Sequence, residues 1–192
     1  MGVTSVSDQS RRGRVRDKIL ARHERLDLTV REACFFESLD GYQQYLTATA
    51  AARIDLESAL ERSGVKEIVP VWPGYSLTPA LIADLGDFNL SYGTGSAPAP
   101  MDHATVWGVV YVLAGASLGA IVLSRRAADL SLSDSYGARH LFQQVATAKT
   151  WGPFLTMFNT MALTPEQEGA CVAGAHHAFA VFETAFGIDR GE

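Results

Sequence analysis

Two groups of residues in this chain have the types and spacing to do chemistry. The first lies between Arg12 and Asp27. Drawn on a helix, Arg12, Arg16, Ile19, His23, Leu26 and Asp27 fall on or near one stripe. An imidazole four residues before a carboxylate can donate one ring N–H to it. That contact fixes the tautomer and leaves the other nitrogen free for a metal. Bases two and three turns earlier suit the carboxylates of a ligand. The plain alternative is a solvated basic face. Arg11, Arg12, Arg14, Arg16, Lys18, Arg22 and Arg25 would then face water, with Asp17 and Glu24 in surface pairs worth little. A single histidine is more often a surface or satisfied core residue than a ligand, and this applies equally to His103, His140, His176 and His177. The residues alone leave both readings open.

The second group is a run of small residues inside an apolar segment, His103 to Arg126. Ala114, Gly115, Ala116, Ser117, Gly119 and Ala120 strip one side of nearly all bulk. A glycine costs a helix interior roughly 1 kcal/mol relative to alanine. Two glycines four residues apart share a face, so this backbone is expected to lie very close to something. A second helix, a lipid-embedded partner and a flat ligand all fit. Ala104 to Ser124 is long enough to span a bilayer, and Gly115-x-x-x-Gly119 has the form of a membrane dimer motif. Against this, the chain has no second apolar run and no signal-peptide core at its N-terminus. A buried core helix is also apolar all round. No membrane span is expected.

The elements that must position these groups are helical. Apolar residues recur at helical spacing from Arg11 to about Leu28 and from about Leu39 to Ser63, where Gly64 fits the C-cap. Thr78-Pro79 is expected to open a helix with Thr78 as its cap, and Thr164-Pro165-Glu166-Gln167 to open the last one, running to about Phe186. Helices are also expected over about Ala138 to Thr147 and Trp151 to Ala162, after a Gly/Ser/Pro loop from Ser91 to Pro100. The only strand signal runs from Val65 to Val71. The expectation is an all-α, single-domain multi-helix fold over residues 11–188, preceded by a flexible tail over 1–10. With 47% hydrophobic and 19% charged residues in 192, the chain is globular. A net charge of −5 argues against nucleic acid as a partner. Cys34 and Cys171 lack metal-ligand spacing and are expected to be buried free thiols in a reducing cytoplasm. There is no Walker loop, Rossmann fingerprint or zinc motif.

The two groups together resemble the heme oxygenases, most of all the bacterial biliverdin-producing kind often associated with phytochromes. The segment Arg14 to Asp27 is similar to the family's proximal helix, whose histidine binds heme iron. The segment Gly108 to Ala120, reading Tyr111-Val112-Leu113-Ala114-Gly115-Ala116-Ser117-Leu118-Gly119-Ala120, is similar to the distal helix, typically Tyr-Val-Leu-Glu-Gly-Ser-x-Leu-Gly-Gly. Tyr42-x-x-Tyr45-Leu46, Leu81 to Gly86, and Trp151-x-x-Phe154 followed by Thr164-Pro165 extend the likeness over residues 11 to 186. Three departures stand out. Ala114 replaces the usual Glu, Ala116 a Ser and Ala120 a third glycine. Trp151 and Leu155 also stand where animal enzymes carry bases for the heme propionates, with Lys149 nearby.

The resemblance implies a heme oxygenase-like fold with heme held between proximal and distal helices. It implies degradation of heme, as both substrate and cofactor, to biliverdin, carbon monoxide and ferrous iron with O2 and external electrons. His23 would be the axial ligand to heme iron. Arg16, with Lys18 or Arg12, would orient the macrocycle, and Tyr111 and Phe179 would contact it. Gly115, Gly119 and Ser117 would shape the distal side. A ferredoxin or flavoprotein reductase would donate electrons, and a bacteriophytochrome would be a possible recipient of the pigment. The altered distal residues make a non-catalytic heme binder or sensor of the same fold the main rival. A thiaminase-like or di-iron protein is a third reading, but the di-iron version needs Glu-x-x-His pairs that the chain lacks.

Overall fold

The computed structural model describes residues 10–93 and 99–188. Eight α-helices carry the described residues: α1 (Arg11–Glu32), α2 (Leu39–Arg62), the single turn α3 (Val65–Ile68), α4 (Thr78–Asp87), α5 (His103–Asp129), α6 (Arg139–Thr147), α7 (Trp151–Thr160) and α8 (Pro165–Ala185). Short 3-10 turns stand at Trp72–Gly74 and Ala148–Thr150. Among the described residues the only β-type pairing is an isolated bridge between Ser133 and Gly137. The fold is all-α. The expected strand signal at Val65 to Val71 instead forms α3 and the turn after it, with Val65 and Val69 buried in the core. Burial, not sheet pairing, accounts for those β-branched residues.

Caps fix most helix ends. Ser10, placed by sequence in the tail, accepts from the Gly13 N–H and starts α1; residues 1–9 of that tail lie outside the described residues. Ser38 caps α2, Asp102 caps α5, and Thr164 forms a capping box with Gln167 at α8. Gly64, just beyond α2, takes the left-handed conformation (φ 71°) that the chain reversal needs. α4 departs from expectation: Thr78 is its first helical residue, not its cap. The cap is Glu57 on α2, whose carboxylate accepts from the Leu77 and Thr78 N–H groups (2.9 and 3.0 Å) and from the Thr78 hydroxyl (2.7 Å). A carboxylate at a helix N-terminus also meets the favourable end of its dipole.

α5 and α8 form the centre. Backbone meets backbone there, because a Cβ on Gly108 would lie 1.9 Å from the Cys171 carbonyl oxygen. Likewise a Cβ on Gly174 would lie 2.2 Å from that of Thr105. Two apolar cores flank this contact. One joins α1, α5, α7 and α8 through Val15, Trp107, Phe154, Phe158 and Phe179. The other joins α2, α4, α5 and α6 through Tyr42, Leu46, Leu81 and Leu141. Of the two thiols, Cys171 is buried as expected, and burial pushes its pKa up to about 12. Cys34 is exposed, contrary to expectation, because it sits in the turn after α1.

A buried polar seam ties the second core to α5. Arg53 Nε bonds Glu57 at 2.7 Å, and Arg53 Nη1 donates to the Leu113 carbonyl at 3.1 Å; both side chains are 2% exposed. Burial alone would raise the Glu57 pKa. The Arg53 charge and the hydrogen bonds from Thr78, Arg53 and Leu77 outweigh it and hold the carboxyl below its ordinary value. His140 lies against Asp84 (Nδ1 to Oδ2, 2.8 Å), and burial lowers its pKa, so the imidazole stays neutral.

The α5–α8 contact yields a direct prediction. Gly108→Ala must push the helices apart and should lower stability by about 3 kcal/mol, or about 6–12 °C in melting temperature. Gly169→Ala on α8, where an added Cβ meets nothing within 4 Å, should be neutral or mildly stabilising. Thermal melts of the two variants check this.

Candidate functional site

α1 turns Val15 and Ile19 into the core, and this leaves Arg12, Arg16, Leu20, His23 and Asp27 on an exposed neighbouring face. Sequence placed Ile19 and Leu26 on that stripe. Ile19 is 5% exposed and packed in the core, Leu26 is half-buried against it, and Leu20, 39% exposed, takes their place. His23 Nδ1 lies 3.2 Å from Asp27 Oδ2, and the imidazole is 58% exposed. Nε2 is thus the nitrogen left for a metal. The ring edge meets Phe179 of α8, centroid to centroid 6.0 Å at 67°. Phe179 is itself 4% exposed, a floor between α1 and α5.

The other wall is α5. Up to Ala114 it is buried nearly all round, and beyond that one face opens. Gly115, Gly119 and Val122 share this face. A Cβ added at Gly119 would meet nothing within 4 Å, and Val122 is 59% exposed. Gly115 differs, because the Trp151 ring lies over it, 3.4 Å from where a Cβ would stand. Ser117 does not join them. It is buried on the other side of the helix, and its hydroxyl donates to the Ala114 carbonyl at 2.7 Å. α5 is the one described helix long and apolar enough to cross a membrane. The bare face accounts for that composition as well as lipid would, since 56% of its most apolar window is buried inside the protein.

Side chains link α1 and the turn after it to α5 at two points, and the stretch between them is the candidate slot. At one end Tyr111 of α5 reaches the guanidinium of Arg12, with Arg16 beside it. Burial raises the phenol pKa, partly offset by those two charges, so Tyr111 keeps its proton at neutral pH as a hydrogen-bond donor. Phe158 stacks on its ring at 4.9 Å and Trp151 lies at 5.5 Å. At the other end Arg126 of α5 bonds Glu37, after α1, at 2.7 Å. Lys18 lies elsewhere: it is on the opposite side of α1 and acts on His176. Asn159 accepts from the Arg12 backbone N–H at 3.0 Å and so serves the start of α1. A hollow between α2 and α8, lined by Ala51, Asp55, His177 and Val181, is separate from this slot.

The donor set limits the ligand. Among the described residues no group of three or more His, Cys, Asp or Glu is placed to hold a metal. One imidazole cannot hold an iron ion alone. It suffices when the metal arrives with four ligands in place, in a flat macrocycle. Arg12, Arg16 and Tyr111 bring together two guanidinium groups and a phenol, groups that pair with carboxylates. Arg53 and Glu57 were not singled out from the sequence; their i, i+4 spacing was the available signal.

The chain is similar to known proteins in sequence and in fold. The heme oxygenase family model matches residues 96–187. The chain is 29% identical over 161 residues to heme oxygenase PigA of Pseudomonas aeruginosa, covering 82% of this chain and 81% of that protein. The fold superposes on the NO- and CO-bound heme oxygenase of Neisseria meningitidis with a TM-score of 0.83, at 24% identity and 96% coverage of both chains.

The open face makes a prediction about its two glycines. Gly119→Leu should fold normally yet lower hemin affinity at least tenfold, because the side chain fills the slot. Gly115→Ala should stay within about threefold, since Trp151 already occupies that space at ordinary contact distance. Hemin titrations with thermal melts as controls decide it.

Proposed function

Because this chain belongs to the heme oxygenase family and is an enzyme of that class, a degrader of heme, we propose that the slot between α1 and α5 is its substrate site. Two features support this: an exposed imidazole on α1 whose Nδ1 lies against Asp27, and open, bare backbone at Gly119 on α5. Heme supplies the iron and its reactivity toward O2 and electrons. The protein's own work is to bind, orient and exclude water. His23 would hold the heme iron through Nε2 while Asp27 accepts from Nδ1–H and holds the tautomer. Tyr111, Arg12 and Arg16 would take the propionates and so orient the macrocycle, which would select the meso carbon that is cut. Gly119, beside Val122, keeps the distal side shallow, and Leu20 and Phe179 give apolar contact from the proximal side. Lys18 and Ser117 are not part of the proposal.

The products proposed are biliverdin, carbon monoxide and ferrous iron. A bacterial cytoplasmic setting, a ferredoxin or flavoprotein reductase as electron donor, and a bacteriophytochrome as recipient of the pigment rest on the sequence resemblance alone. With hemin, a reductant and air, the heme band should vanish, a broad bilin band should grow, and a chelator should capture ferrous iron, all in the presence of catalase. His23→Ala should lose the histidine-ligated spectrum and regain it in part with added imidazole. A ferric spectrum that persists in the wild type, or bleaching that catalase abolishes, would sink the enzymatic reading.

Propionate anchoring generates a second test. Arg16→Glu should weaken hemin binding about tenfold or more and change the ratio of biliverdin isomers, because a charge-assisted contact is worth about 1.5–3 kcal/mol. Lys149→Glu, on the turn before α7, should do neither. Equal effects of the two on titration and product chromatography would place the propionates elsewhere.

A further inference from the structure

α1 carries the axial ligand, yet apolar packing anchors it weakly. Its fully buried apolar side chains are Val15 and Ile19, both on the N-terminal side of His23; beyond it Leu26 and Val30 are only half-buried against the cores. Ion pairs hold the rest of the helix on α8, in two separate places. At the N-terminal end Glu168 accepts from Arg11 and Arg14, both at 3.0 Å. At the turn that bears His23 the partner is Glu183. One of its oxygens accepts from Arg22 at 2.7 Å and the other from Arg25 at 2.6 Å. The carboxylate is 1% exposed, while the two arginine side chains keep 30% and 42% of their surface in water.

The sequence positions of those arginines matter. Arg22 immediately precedes His23, and Arg25 follows it by two residues. Glu183 therefore holds the His23 turn through side chains that flank His23 in sequence. One turn earlier on the same face of α8 stands Phe179, whose ring meets the imidazole edge. One face of α8 thus fixes both the ring of His23 and the backbone that carries it. Removing one partner from a buried, doubly paired carboxylate leaves the remaining charges uncompensated, so the turn cannot keep its place unchanged.

We propose that Glu183 is a positioning residue for the axial ligand: through Arg22 and Arg25 it sets the placement of His23 relative to the Gly119 face of α5. This rests on the reading of His23 as the heme ligand. Positioning partners of metal ligands typically change metal affinity 10–100-fold when lost. A general role in docking α1 would be shared with Glu168, which also holds two arginines of α1 but nine to twelve residues from His23.

The test compares Glu183→Gln, Glu183→Asp and Glu168→Gln as hemin complexes. The readouts are the iron–imidazole stretching band of the ferrous complex by resonance Raman and the rate of hemin release to a scavenger apoprotein. Melting of the protein without hemin serves as the stability control. Glu183→Gln should shift or broaden the band and speed release about tenfold, and Glu183→Asp should recover part of both. Glu168→Gln should lower the melting temperature yet keep the wild-type band and a release rate within about twofold. Should Glu183→Gln fail to fold, Arg25→Met removes one arm and leaves Arg22 on the carboxylate, and should give a smaller change of the same sign. A wild-type band and rate in Glu183→Gln or, where that does not fold, in Arg25→Met, or equal changes in Glu168→Gln, would overturn the proposal. A wild-type protein with no iron–imidazole band would instead remove the reading of His23 on which it stands.

Discussion

The backbone contact between α5 and α8 is the constraint on which the rest depends. Gly108 and Gly174 let the two helices touch with no side chain between them. α8 thereby becomes a common base for both walls of the slot. It holds α5 through that backbone contact, and α1 through Val15 and Ile19 in the shared core and through Glu168 and Glu183 bonded to arginines.

Charge is distributed to the same end. The chain carries a net charge of −5, yet α1 is strongly basic. Its arginines divide by helix face. Arg11, Arg14, Arg22 and Arg25 turn to Glu168 and Glu183 of α8, while Arg12 and Arg16 turn to Tyr111. An anionic ligand is thus met by local positive charge within an otherwise negative molecule. On the far side of α5, the Arg53–Glu57 pair bonds the Leu113 carbonyl, two residues before Gly115. The distal wall is therefore braced from behind by a buried polar seam, while its front stays bare.

Much of this was legible in the sequence because it is local. Helical spacing, the caps Thr164 and Gly64, and the alignment of Arg12, Arg16, His23 and Asp27 all follow from neighbours within one or two turns. The glycine run led to the expectation of a very close approach, and its two glycines do not meet one: Gly115 has Trp151 at ordinary contact distance and Gly119 faces open space, while the tight helix contact lies at Gly108, outside the run. What was not legible depends on contacts between distant segments. Thr78 looks like a cap until Glu57 arrives from α2 to take the role. Ser117 looks distal until the helix rotation turns it inward to Ala114. Lys18 looks like one more base of the slot until the burial of Val15 and Ile19 fixes which face of α1 is turned away.

Two walls seated on α8 should receive a flat ligand without rebuilding the fold. Amide hydrogen exchange of the whole chain, with and without hemin, decides this. Protection should rise on α1 from Arg16 to Asp27 and on α5 from Gly115 to Val122. It should stay unchanged at the α5–α8 contact around Gly108 and Gly174 and across α2, α4 and α6. Protection centred on the hollow between α2 and α8, or a change spread evenly over all helices, would contradict the account.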